Sequence, residues 1–204
     1  GYNITVMDNL SPQIHGEGES ILFKKIKNKC FFIKGDVRNK EDWKKAIKGQ
    51  EIIVHLAAET GTGQSMYEAE KYNAVNIIGT ANMLELLTNT NHKVKKILIA
   101  SSRAIYGEGK YLCSTHGVTY PLQRNESDME KGEFNPKCDI CNSELQLVAT
   151  DEKSKIHPLS IYGITKQQQE QMVMLMGESL DIPSVAFRYQ NVYGPGQSLS
   201  NPYT

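Results

Sequence analysis

No apolar run in this 204-residue chain approaches the roughly 20 residues a bilayer-spanning helix needs. Its start, Gly1-Tyr2-Asn3, has no basic stretch leading into an apolar core. Membrane insertion and secretory targeting are therefore not expected, and a cytoplasmic location is. An excess of one charge is missing too. The 23 Lys and Arg balance 23 Asp and Glu, so no basic field exists to draw in a nucleic-acid backbone, and a metabolite is the better partner. The clusters Lys24–Lys27 and Lys93–Lys96 read as solvated faces of surface elements. Cysteine is scarce: Cys30, Cys113, Cys138 and Cys141 are too few for a disulfide scaffold at this length, which again points to a reducing compartment. Internal repeats and low-complexity tracts are absent as well.

What is present, 39% hydrophobic and 23% charged residues, is enough for one well-buried domain or one and a half. Short apolar runs of strand length occur at Asn3–Asp8, Cys30–Gly35, Glu51–Leu56, Lys96–Ala100 and Pro183–Arg188. Helical periodicity separates them at Lys40–Lys48, Ser65–Leu87 and Ser160–Gly177. Such alternation predicts an α/β fold, a parallel sheet covered by helices on both faces. The exception is 107–155, rich in Gly, Asn, Glu and Lys and too long for an ordinary loop, which reads as an insertion or a lid.

Within the last helix, Tyr162 and Lys166 are four apart and so share one face. An ammonium near a phenol stabilises the phenolate and suits the tyrosine to remove a hydroxyl proton at neutral pH. Taken alone, the pair also fits an ordinary amphipathic face. Upstream, Ser101 and Ser102 end a predicted strand, the edge of an open parallel sheet where ligands bind. One of them would share a reacting oxygen with Tyr162 while the other does turn chemistry. Asp8, ending the first strand, suits the two hydroxyls of an adenosine ribose, with no following Arg for a 2′-phosphate, or else serves as a turn or cap carboxylate. Asp36-Val37 and Leu56-Ala57-Ala58 also end strands, where small residues let a flat cofactor approach or simply pack closely.

Cys113-Ser-Thr-His116 and Cys138-Asp-Ile-Cys141 are two x-x-spaced pairs inside the insertion, and two such knuckles fit a tetrahedral structural zinc ion. A reduced cysteine pair with a surface histidine is the alternative. Gly117 and Asn142 follow the two pairs, where a left-handed backbone lets amides face a thiolate. Cys30 and His55 read as packing residues.

Taken together, the residues Asp8-Asn9-Leu10, Gly35-Asp36-Val37, His55–Ala58, Asn76 with Gly79-Thr80, Ser101-Ser102 with Tyr106-Gly107, Tyr162–Lys166 and Arg188–Asn191 with Gly194–Gly196 resemble the extended short-chain dehydrogenases/reductases of the nucleotide-sugar epimerase/dehydratase type. They run in that family's order across nearly the whole chain. The stretches Asn9–Gly16, Glu59–Met66 and Tyr189–Ser198 look most like the dTDP-L-rhamnose 4-epimerases.

The resemblance implies a Rossmann-type doubly wound sheet binding NAD over residues 1–204, within which the cysteine and histidine spacing makes 108–155 a zinc-stapled insertion. It implies Ser102, Tyr162 and Lys166 as catalytic residues. On the cofactor side it places Asp8, Asn9, Asp36, Val37, Leu56, Ala57, Ala58, Asn76, Tyr189 and again Tyr162 and Lys166; Ser102, Arg103 and Asn191 would meet the substrate. The implied activity is NAD-dependent C4 epimerisation of a dTDP- or UDP-linked sugar by a homodimer. The family's dehydratases carry an Asp-Glu pair directly after the catalytic hydroxyl. Arg103-Ala104 stand there instead, so elimination lacks its proton donor.

Two departures stand out. The family's Gly-x-x-Gly-x-x-Gly phosphate turn is missing, and the substrate domain is mostly missing after 197. The residues therefore read as the interior of a longer protein and, alone, as a poor enzyme. A reductase or dehydrogenase on the same scaffold, and a non-catalytic sugar-nucleotide binding module, fit the same residues.

Overall fold

The computed structural model describes residues 1–16, 20–194 and 197. Of the stretches named above, Pro195, Gly196 and Ser198, and with them the chain's end at Asn201–Thr204, lie outside the described residues. In chain order the elements are β1 (Thr5–Asp8), α1 (Pro12–His15), α2 (Ile21–Ile26), β2 (Phe31–Lys34), α3 (Lys40–Ile47), β3 (Ile52–His55) and α4 (Thr62–Ser65). Then come α5 (Ala69–Tyr72), a π-wound stretch (Asn73–Ile78), α6 (Gly79–Asn89), β4 (Lys96–Ser102), a 3-10 turn (Arg103–Tyr106), β5 (Tyr111–Cys113) and β6 (Gly117–Thr119). The last four are α7 (Glu126–Met129), β7 (Gln146–Leu147), α8 (Ile161–Ser179) and β8 (Ser184–Tyr189).

The expected alternation is present, and the strands that carry it pair in parallel, β1 with β2 and β3 with β4 with β8. Ile53 aligns with Ile97, and Ile99 aligns with His55 and Ala186, so these side chains share one face of the sheet. That face is sealed by Trp43 and Ile47 of α3, Met83, Leu84, Leu86 and Leu87 of α6, and Val173 of α8. Each such buried apolar side chain contributes about 1.5–3 kcal/mol. Trp43 fastens α3 with its indole N–H, which donates to the carbonyls of Val37 (2.9 Å) and Gly79 (3.1 Å).

Cover on the opposite face is uneven. At β2 the ring of Phe23 from α2 lies 4.5 Å from that of Phe32. On β3 and β8 the alternate residues Ile52, Val54, Val185, Phe187 and Tyr189 stay largely open to solvent.

The periodicity that reads 65–87 as one helix misses its winding, which breaks after α4 and widens to π at Asn73–Ile78. The cause is tertiary. Asn76 clamps its amide between Glu59 and Thr165, and hydrophobic spacing carries no record of that.

The segment 108–155 leaves and returns at one point. His157 N–H donates to the Ile105 carbonyl at 2.8 Å, and Lys110 N–H donates to the Thr150 hydroxyl at 3.0 Å. Gly107 stands at φ 61° where any Cβ would strike the His157 carbonyl, so the stem demands glycine. Beyond the stem, β5 pairs antiparallel with both β6 and β7 around four buried residues, Tyr111, Cys113, Cys138 and Leu145. Among the described residues no helix is long and apolar enough to cross a membrane.

Candidate active site and metal cluster

Alternation along β4 sends the hydroxyls of Ser101 and Ser102 to opposite faces. Ser101 turns under α8 and donates to Glu170 Oε2 at 2.5 Å. Ser102 caps the 3-10 turn, accepting the Ala104 N–H at 3.1 Å, and its hydroxyl lies close enough to the Tyr162 phenol to favour the phenolate. Which serine meets the tyrosine is thus decided by side-chain direction.

Tyr162 reaches that hydroxyl because the start of α8 is pinned from three sides. The Ser160 hydroxyl accepts the Gly163 N–H at 3.0 Å, and the Ser65 hydroxyl accepts the Tyr162 N–H at 3.0 Å. At Gly163 a Cβ would lie 2.7 Å from the Ala104 carbonyl, so only glycine lets the helix approach the 3-10 turn. Burial raises the phenol above its ordinary pKa of 10, opposed by the nearby Ser102 hydroxyl and the positive charge of Arg103. Tyr72, pushed up to about 12 chiefly by burial, sits edge-on with its ring centre 6.4 Å from that of Tyr162.

Lys166 was expected to be the cation acting on the phenol. In this structure that cation is Arg103, and Lys166 turns inward, donating from Nζ to Gln169 Oε1 at 2.7 Å. A buried ammonium takes the nearest carbonyl oxygen, and burial brings its pKa down to about 8. Gln169 Nε2 donates in turn to the Thr80 hydroxyl at 2.7 Å, and Thr80 donates to the Asn76 carbonyl at 2.6 Å. With its one proton spent, Thr80 can only accept from His55 Nε2, 2.9 Å away. Burial pushes His55 down to about 3, so it is a neutral donor.

Of these supports, Tyr72 and Gln169 lie in no motif, and nothing in the sequence assigns Ser65 or Thr80 a role at the site. They are polar residues at fully buried positions, and only packing reveals them.

A second buried group closes the other side of α8. Arg188 meets Glu170 with Nε and NH2, the latter 2.6 Å from Oε1, and donates from NH1 to the Tyr106 hydroxyl and the Glu152 carbonyl. It thereby joins β8, α8, the 3-10 turn and the insertion's return path.

The remaining site residues divide. Arg103 and Asn191 come together, Nε to Oδ1 at 3.3 Å, at the open edge beside Ser102, and Tyr189 ends β8 opposite Ser102. Leu56 and Ala57 are exposed and Ala58 half-buried at the end of β3. Asp8 accepts the Leu10 N–H at 2.7 Å, the turn role, while its side chain stays 44% exposed and open to a further donor. Asn9 accepts the Ser11 N–H, and Asp36, held below the usual carboxylate range by Arg38, forms a two-point pair with that guanidinium.

Two cofactor-side expectations meet a different environment. Val37 is buried, its side chain packed against Gly79 and its carbonyl taken by Trp43 and Asn82. The Asn76 side chain is fully buried and its amide is spent on Glu59 and Thr165.

In the insertion, the ligand atoms of Cys113, His116, Cys138 and Cys141 all lie within 4.8 Å of one another, although the pairs are 22 to 28 residues apart. Gly117 at φ 75° and Asn142 at φ 58° take the left-handed conformation expected after each pair. All four cysteines of the chain are free thiols.

A parallel sheet with a half-buried tyrosine beside a buried serine at its carboxyl edge defines an α/β domain of the Rossmann type. The chain belongs to the NAD dependent epimerase/dehydratase family, whose model matches residues 1–137 and 142–203. It is 36% identical over 201 residues to a dTDP-L-rhamnose 4-epimerase of Burkholderia thailandensis, covering 98% of this chain and 53% of that protein. A putative UDP-glucose 4-epimerase of Methanocaldococcus jannaschii is 28% identical over 198 residues, 96% of this chain and 50% of that one. The chain therefore spans about half the length of the curated relatives it matches.

Among solved structures, UDP-N-acetylglucosamine 4-epimerase of Methanobrevibacter ruminantium superposes with a TM-score of 0.64 at 25% identity, over 98% of this chain and 50% of that one. A variant UDP-glucuronic acid 4-epimerase of Bacillus cereus, in complex with UDP-4-deoxy-4-fluoro-glucuronic acid and NAD, has a TM-score of 0.70 at 22% identity. It covers 99% of this chain and 52% of that one, a likeness of fold.

Proposed function

We propose that the protein containing this chain epimerises a nucleotide-linked sugar at C4, using NAD. The observation that carries the reading is the approach of the Ser102 hydroxyl to the Tyr162 phenol at the carboxyl edge of the sheet, close enough to favour the phenolate. Bound NAD would accept the C4 hydride and return it to the opposite face of the 4-keto sugar, so no net redox change results. Tyr162 removes the proton from the 4-hydroxyl and later gives it back, Ser102 shares that oxygen, and Lys166 leaves Gln169 to support the phenolate. Arg103 and Asn191 meet the substrate's phosphates.

The exposed backbone at Leu56–Ala58 and the half-exposed carboxylate of Asp8 fit the cofactor. Arg103-Ala104, with no carboxyl group beside Ser102, argue against dehydration. The named relatives, 4-epimerases of dTDP- and UDP-sugars, support the substrate class.

Zinc, held in the insertion, would be a structural ion beside the NAD. The protein would act in the cytoplasm as a homodimer joined through α8, whose outer stripe exposes Ile164 and Leu175. Incubating the full-length protein and NAD with a panel of dTDP- and UDP-sugars, with C4 configuration read by NMR, tests the activity. Inversion without accumulation of reduced nicotinamide is expected. Stoichiometric accumulation of reduced nicotinamide with a 4-keto sugar would instead establish the dehydrogenase.

A further inference from the structure

We infer that Cys113, His116, Cys138 and Cys141 form a closed four-ligand zinc centre that holds the outer ribbon of the insertion, with no part in the chemistry at Tyr162. The inference rests on the zinc reading and adds the coordination and the role.

The distances carry it. With Zn–S of about 2.3 Å and Zn–N of about 2.0–2.1 Å, a tetrahedron has S···S edges of about 3.8 Å and S···N edges of about 3.5 Å. The structure places Cys113 Sγ 3.7 Å from Cys141 Sγ, Cys113 Sγ 3.5 Å from His116 Nδ1, and Cys138 Sγ 3.6 Å from His116 Nδ1. A disulfide would need its two sulfurs about 2.05 Å apart.

The surroundings are built for thiolates. The amides of Thr115 and His116 lie beside Cys113, those of Ile140 and Cys141 beside Cys138, and that of Ser143 beside Cys141. The Ser143 hydroxyl adds contacts to Cys141 at 3.0 Å and to Cys113 at 3.6 Å. Such outer donors orient ligands and offset their charge. Three thiolates and one imidazole select zinc over the hard cations, and four protein ligands leave no position for substrate.

The role follows from what else holds the ribbon. Its only hydrophobic cluster among the described residues is Tyr111, Cys113, Cys138 and Leu145, two of which are ligands. A cluster that small does not offset the ordering of the segment, and small units of this kind depend on metal. The stem, by contrast, is fastened to the main core through Ile105–His157, Lys110–Thr150 and Arg188–Glu152. Metal loss should therefore release the ribbon and leave the sheet intact.

The test uses the full-length protein purified without added metal. Elemental analysis should find about one zinc per chain, released in proportion as a mercurial reagent titrates the thiols. Less than half an equivalent, or thiol titration without metal release, would overturn the site itself. Hydrogen exchange before and after that release should then rise within 111–147 and stay unchanged in β3, β4 and α8. A rise in the core as well, or none anywhere, would overturn the role while leaving the zinc site standing. The epimerase reading is tested separately by C4 inversion, which the proposal expects to persist without the metal, so the failure of either reading leaves the other standing.

Discussion

Lys166 and Gln169, one turn apart on α8 and both buried, are joined Nζ to Oε1 at 2.7 Å. The lysine that the motif assigns to the reacting phenol is thus held by a neighbour the motif does not mention. Movement of Nζ from this amide toward Tyr162 would be part of forming the competent site.

Burial lowers the Lys166 pKa from its ordinary 10.5 to about 8. Between those values the unfolded chain keeps a proton that the folded chain has released, so stability rises with pH from about 8 to about 10.5, by roughly 3 kcal/mol from this group. Chemical denaturation of wild type and Lys166→Met across that window isolates the effect. The variant should lack this part of the rise, and parallel profiles would show that Lys166 is not the cause.

His55 runs through a lower window. Its folded pKa of about 3 lies below the ordinary 6.5, so the unfolded state takes up a proton first and stability falls as pH drops from about 6.5 to about 3. His55→Gln should shallow that acid limb in a thermal-melting series.

In the full-length enzyme, Tyr162→Phe removes the proton acceptor and should lower kcat about 10²- to 10⁴-fold, with NAD affinity by calorimetry little changed. Ser102→Ala should cost less, and Ser101→Ala should appear in stability rather than in turnover. Equal kinetic losses at the two serines would contradict the assignment of their roles.

Arg188 and Glu170 form a largely buried pair, and removing one partner leaves the other charge unpaired. Arg188→Met or Glu170→Gln alone should cost about 3–5 kcal/mol in urea unfolding. The double change Arg188→Met with Glu170→Leu should recover much of that loss. Additive losses would mean the two side chains act independently.

Gly163→Ala places a methyl group 2.7 Å from the Ala104 carbonyl, forcing α8 away from the 3-10 turn. Activity should fall more than the melting temperature, because the displacement separates Tyr162 from Ser102. An unchanged kcat would show that the close approach is not needed.

Much of this molecule was legible in local pattern. The apolar runs at Thr5–Asp8 and Lys96–Ser102 become parallel strands. The four-residue step from Tyr162 to Lys166 lies on a helix, and the cysteine spacings close into one cluster, with Gly117 and Asn142 left-handed as the turns require. Strand alternation, helical period and ligand spacing depend on neighbours a few residues away, which is why one sequence carries them.

Tertiary structure alone decided the partners. It turned Ser101 to Glu170, gave Lys166 to Gln169, and drew Asn76 and Val37 into packing. It also assembled Ser65, Thr80 and Arg188 around α8 from segments up to about a hundred residues apart. Periodicity says which face is buried, but each buried donor must find an acceptor there, and the nearest one is set by how helices and strands come to rest against each other.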